Sequence, residues 1–242
     1  MRAKLIILIC LIQFFKATSQ ESIEDKSEVW LGVITEMELG KFSIWNDAHF
    51  VPGDFTIVRT GLTYKFAIKK WQPKLTLGYA HLWLHSNNPQ INFIHENRPW
   101  GQLVWSNNFG NQSILQRIRF DNRFKKIVDP NDLEQYTISH NYRLRYLLQY
   151  KYYLKSKQAS TRPFLATSSE ALVNFGTNIK DNVRIDQLRF LLAAGIKKHN
   201  STIQLGYLNR IKLDAKNDSK IIYHTLMVLY FQTIDFKNQH KK

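Results

Sequence analysis

The sequence holds a single cysteine, Cys10, set in an apolar run near the N-terminus. One thiol builds neither a disulfide nor a thiolate metal site, so neither can hold this fold together. Glycine and proline are scarce, 10 and 6 in 242 residues, and they gather into no Pro/Gly/Ser-rich linker that would divide the chain into two domains. Also missing are a Gly-rich phosphate loop, a metal-ligand cluster and a paired acidic catalytic motif. No cofactor and no metal are expected. A helix-period apolar pattern of useful length is lacking too, which leaves β-structure as the organising element.

What is present begins with a leader. Arg2 and Lys4 precede "LIILICLIQFF" at 5–15, and the small residues "ATS" at 17–19 follow. This is the pattern of a secretory signal, too short to span a bilayer as a helix, with a cut expected after Ser19. The residue before Cys10 is Ile9, not a small residue, which argues against lipoprotein processing. The expected organisation is a signal peptide over 1–19 and one domain over 20–242. Losing Arg2, Lys4 and Lys16 lowers the formal charge from +15 to +12. That surplus is spread along alternating positions and clusters only in the tail "KNQHKK", read as a solvated end. No nucleic-acid partner is expected.

Segments of ten to twenty residues alternate polar with apolar at 28–39, 41–51, 55–68, 74–86, 92–106, 112–126, 136–154, 163–175, 183–198, 201–213 and 219–233. Soluble strands average five or six residues, whereas a tilted membrane strand needs about nine to eleven. In "NYRLRYLLQYKYYL", 141–154, one face carries Tyr142, Leu144, Tyr146, Leu148, Tyr150 and Tyr152, and the other mainly Asn141, Arg143, Arg145, Gln149 and Lys151. A soluble core would have to find partners for many tyrosine hydroxyls, whereas a membrane interface accepts half-wet rings. The connectors "KKWQPK", "SNNFGNQS", "KSKQAST" and "KKHNS" read as short turns at one rim. "SNNPQIN", "KIVDPNDLEQ", "GTNIKDN" and "DAKNDSK" read as the opposite rim. The expected fold is all-β: a single antiparallel up-and-down transmembrane β-barrel in the bacterial outer membrane. Because single-chain barrels of this kind normally have an even strand count, ten or twelve strands are expected, with 28–51 misdivided or another strand irregular.

"SILQRIRFDNRF", 113–124, carries Arg117, Arg119, Asp121 and Arg123 on one strand face. A turn at 106–113 makes facing residues sum to about 219, which sets Glu96 opposite Arg123 and Arg98 opposite Asp121. A loop near 131–132 sets Asp121 opposite Arg143 and Arg119 opposite Arg145. Sums near 315 and 359 set Arg145 by Glu170 and Glu170 by Arg189. The expectation is a lumenal charge ladder of Glu96, Arg98, Arg117, Arg119, Asp121, Arg123, Arg143, Arg145, Glu170 and Arg189, each opposite-charge pair worth roughly 0.2–1 kcal/mol. Such a ladder lines an ion path or zips a narrow barrel shut.

At these residues the sequence resembles the outer-membrane barrels grouped as domain-of-unknown-function family 2490. The resemblance rests on Trp30, "GLTY" at 61–64, "LGYA" at 77–80, "ENRPWGQL" at 96–103, "QRIRFDNRF" at 116–124, "YRLRY" at 142–146, Glu170, "NF" at 174–175 and "LGYL" at 205–208. In that family the position of Asp121 more often carries Glu. The resemblance implies a bacterial outer-membrane β-barrel and brings no activity and no catalytic residues.

Three functional readings follow. The first is a non-enzymatic barrel for small-solute transport, binding or envelope structure, in contact with outer-membrane lipid and lipopolysaccharide; arginines in a small lumen argue against a wide porin-like pore. The second is a barrel enzyme acting on lipid or lipopolysaccharide through His85 and Ser86, although adjacent strand residues point to opposite faces. His81 and His85 share a face but have no carboxylate nearby in sequence, and His95 and His140 are uncommitted. The third is an accessory subunit docking through a rim onto an unspecified envelope protein.

Overall fold

The computed structural model describes residues 23–68, 72–86, 88–129, 132–155, 160–179, 183–213 and 220–236. The leader expected at 1–19 lies outside the described residues. Eleven strands follow one another: β1 (Ile23–Leu39), β2 (Phe42–Val51), β3 (Phe55–Lys65), β4 (Lys74–His85), β5 (Phe93–Phe109), β6 (Gln112–Val128), β7 (Tyr136–Tyr153), β8 (Thr161–Phe175), β9 (Val183–Lys198), β10 (Ser201–Leu213) and β11 (Lys220–Asp235). Each pairs with its sequence neighbours, and β1 pairs with β11, so the sheet closes into one barrel.

The expectation of an even count and of wholly antiparallel pairing is corrected. Residues 28–51 do form two strands, joined at Gly40 and Lys41. In an up-and-down meander direction alternates from strand to strand, so an odd count leaves the first and last pointing the same way. The barrel therefore closes through a parallel ladder from Ile23↔Lys220 to Glu38↔Asp235. Parallel pairing satisfies the backbone as fully as antiparallel pairing does, so parity alone does not forbid eleven strands.

Turns after odd-numbered strands share one rim with the end of β11, and connectors after even-numbered strands share the other rim with the start of β1. On the first rim, two-residue turns link Leu39 to Phe42, Phe109 to Gln112 and Lys198 to Ser201. Their first residues, Gly40, Gly110 and His199, have φ of 71°, 57° and 51°, the sign that tight hairpins require.

Strand alternation sorts the side chains into two faces. In β8, Phe164, Ala166, Ser168, Glu170 and Leu172 are buried inside, while Leu165, Thr167 and Ser169 lie on the exposed outer face. The outer face elsewhere carries Val33, Ile44, Leu62, Leu77, Leu144 and Ile203. The polarity is the reverse of a soluble protein's: Leu192 is 68% exposed and Glu96 0%. The interior is not charged throughout. Trp30, Val51, Phe164, Leu191, Leu208, Met227 and Leu229 form one apolar cluster, and Ile57, Ala80, Leu82 and Trp100 another. The Trp100 indole crosses the wall at Gly61 and Gly78, where an added Cβ would come within 3.1 and 2.8 Å of it. Glycine at those positions is what leaves room for the ring so close to the strands.

Candidate functional site

Five consecutive strands place charged side chains inside. β5 supplies Glu96 and Arg98, β6 supplies Arg117, Arg119, Asp121 and Arg123, β7 supplies Arg143 and Arg145, β8 Glu170, and β9 Arg189. Within each strand these residues share one parity, hence one face. Glu96, Arg98, Arg119, Asp121, Arg143, Arg145 and Glu170 are buried, and Arg117, Arg123 and Arg189 are partly so.

The carboxylates act as nodes. Glu96 Oε1 accepts from Arg98 Nε and Arg123 Nε, each at 2.6 Å, and its Oε2 accepts from Arg123 Nη2 at 3.1 Å. Asp121 Oδ2 accepts from Arg145 Nε at 2.7 Å. Glu170 accepts from Arg117 Nη2 at 2.7 Å and from Arg189 Nη1 at 3.1 Å. Arg143 donates to Asn174 Oδ1 at 2.7 Å and Asp186 Oδ2 at 2.9 Å, and Asn174 Nδ2 donates to Asp186 Oδ1. Arg119 differs, because Nε and Nη2 both donate to the neutral Gln102 Oε1, at 3.1 and 2.6 Å.

Two of the four expected registers are displaced by two residues. β5 and β6 pair with a sum of 221, so Glu96 faces Lys125 and Asp121 faces Trp100. The cause is where the turn falls: it is centred between Gly110 and Asn111, one residue beyond the centre of 106–113, and each residue of displacement adds two to the sum. Glu96 still reaches Arg123 diagonally, while Arg98 turns to Glu96 on its own strand and makes no bond to Asp121. β7 and β8 sum to 317, so Arg145 faces Leu172, and its hydrogen bond goes to Asp121 instead of Glu170. β6 and β7 set Asp121 opposite Arg143 and Arg119 opposite Arg145. β8 and β9 set Glu170 opposite Arg189. Long arginine side chains absorb a two-residue slip because diagonal neighbours remain within their reach.

The model of a family of proteins of unknown function, DUF2490, matches residues 27–220. This chain belongs to the DUF2490 family. The match runs from β1 to the first residue of β11 and takes in every member of the charge network. No curated protein and no solved structure matches significantly, so the chemistry has to be argued from this DUF2490 barrel itself.

Several network members escaped the sequence reading. Asp47 accepts from Arg59 Nε at 2.7 Å and Trp45 Nε1 at 2.8 Å, while His49 accepts from Trp30 Nε1 at 3.0 Å. Arg210 donates to Glu28 at 2.6 Å and Asp54 at 2.9 Å, and Lys74 reaches Glu36 at 2.8 Å. The parity of their strands marks Asp47 and Arg59 as sharing a face with buried residues; only closure of the barrel brings Arg210 to Glu28.

The histidines divide differently. His81 bonds Asn97 Oδ1 at 2.7 Å and His95 Nδ1 at 3.1 Å on the outer face. His85 packs edge-on against Phe93, and Ser86 Oγ accepts from the Asn88 backbone N–H at 3.1 Å. His140 bonds Asn122 at 2.6 Å. None of these contacts is a serine–histidine pair. Among the described residues, no group of three or more His, Cys, Asp or Glu side chains is arranged to hold a metal ion.

Proposed function

We propose that this DUF2490 protein is an exported, non-enzymatic β-barrel of the bacterial outer membrane whose narrow, arginine-crossed interior binds or passes small ions. The observation that carries the reading is the inverted polarity. A largely apolar outer face suits acyl chains, and ion pairs on the inner face satisfy each other away from lipid. Nine arginines, at 59, 98, 117, 119, 123, 143, 145, 189 and 210, reach into the interior, which disfavours a wide porin-like pore. The leader at 1–19 supports export. Outer-membrane lipid and lipopolysaccharide are the partners the outer face fits.

Ion conductance of the purified, folded protein in a planar bilayer tests the proposal, alongside Arg119→Ala. Stable steps whose ion selectivity shifts in the variant support it. Silence from a verified folded and inserted barrel refutes passage of ions and turns the role to envelope structure.

A further inference from the structure

Among the described residues the inner-face carboxylates are engaged: Asp47 with Arg59, Glu96 with Arg98 and Arg123, Asp121 with Arg145, Glu170 with Arg117 and Arg189, Asp186 with Arg143, Glu28 with Arg210, Glu36 with Lys74 and Glu38 with Lys65. Of the nine inner arginines, Arg119 is the one left over. It is 1% exposed, makes no salt bridge among the described residues, and has Gln102 as its hydrogen-bonding partner. Its guanidinium lies 4.5 Å from the centre of the Trp100 ring, which offers some compensation but no counter-charge.

The charges around Arg119 are mixed. The cations Arg59, Arg117 and Arg145 act on it together with the carboxylates Asp121, Asp47 and Glu170, but each of those carboxylates is hydrogen-bonded to another arginine. Two further donors, Arg117 Nε and Trp100 Nε1, are buried without a partner. Arg117 stands two residues along β6 on the same face, and Trp100 is the residue under the Arg119 guanidinium. A buried guanidinium with no carboxylate of its own in hydrogen-bond contact is unfavourable, and buried N–H groups left unmade add to the cost. Water fills the donors but does not balance the charge.

We propose that a small inorganic anion, of the chloride or phosphate kind, binds inside the barrel at Arg119, with Arg117 Nε and Trp100 Nε1 as the open donors beside it. The required chemistry is a full negative charge on a group small enough to sit among the side chains. The site deepens the small-ion function and rests on that reading for its biological use. Its test is made on folded protein in detergent, so a failure here stays separate from a failure to insert or conduct.

The midpoint of heat unfolding is measured for the full mature chain at fixed pH and ionic strength, with chloride or phosphate replacing bulky gluconate. A ligand that binds only the folded state raises the midpoint with its concentration. Wild type is expected to gain a few degrees per tenfold increase in the bound anion. Arg119→Gln should lose that dependence, and Lys41→Gln, in the Gly40–Lys41 turn, should keep it. A response to phosphate alone assigns an oxyanion, and a response to chloride alone assigns a halide. A wild-type midpoint indifferent to anion identity overturns the site, whether or not Arg119→Gln folds. An undiminished response in folded Arg119→Gln overturns its location.

Discussion

Glu96→Gln keeps the side-chain volume and removes the charge from a carboxylate that two arginines share. Glu96 is 0% exposed and accepts three hydrogen bonds, two at 2.6 Å and one at 3.1 Å, from Arg98 and Arg123. In the variant Arg98 has no carboxylate, and Arg123 keeps only its long contacts to Asn141 and Asn174, at 3.4 and 3.5 Å. Removing one partner of a buried ion pair costs about 3–5 kcal/mol, because the charge left behind is neither solvated nor paired. For a chain of this size, each kcal/mol moves the unfolding midpoint by about 2–4 °C, so a fall of roughly 10 °C is expected. The assay is heat or urea unfolding of the detergent-folded barrel, followed by circular dichroism. Adding Arg123→Gln in the Glu96→Gln background should cost less than Arg123→Gln alone, the signature of direct coupling. A Glu96→Gln midpoint within 1–2 °C of wild type, or strictly additive costs in the cycle, would refute the reasoning.

Two further perturbations separate buried charge from exposed charge, and packing from electrostatics. Asp121→Ala should destabilise the barrel by about 3 kcal/mol or more, since it strips Arg145 of its carboxylate. Asp132→Ala, which only removes caps on Glu134 N and Gln135 Nε2 in an exposed turn, should cost about 1 kcal/mol or less, and equal heat stability of the two variants would count against the network. Gly78→Ala should cost at least about 1–3 kcal/mol with no change in charge, because its methyl group meets both the Trp100 indole and the Thr60 carbonyl; an unchanged urea midpoint would mean that the indole does not lie where described.

The strands were legible in the sequence because alternation is a local property. Each of the eleven segments corresponds to a strand, with ends displaced by a few residues; the first reaches back to Ile23 instead of starting at 28. Parity was misjudged because an even count is a habit of barrels and not a demand of hydrogen bonding. Register was harder to read, since it depends on where the turn falls. "SNNFGNQS" contains the Gly110 turn, but the pattern alone does not say that Phe109 and Gln112 still pair. Asp186 was missed because β9 departs from regular pairing opposite Leu172 and Val173, which breaks the alternation between Arg189 and Asp186; Asn174 shares the parity of Glu170 and was passed over because it carries no charge. The Arg210–Glu28 contact joins residues 182 apart and depends on the closing of the barrel, which no local window can display.

That closing ladder also sets an order of events. Every other strand pair is a hairpin or a short connection between sequence neighbours, whereas Ile23 and Lys220 must meet across nearly the whole chain. Loop closure costs about (3/2)RT ln n, so joining ends some 200 residues apart is roughly 4 kcal/mol dearer in chain entropy than closing a two-residue hairpin. Chain entropy therefore favours docking the last strand on the first after the nine between them are in place. The assembling chain thus passes through an open, curled sheet with two bare edges, and whatever assists its assembly has to shield β1 until β11 arrives.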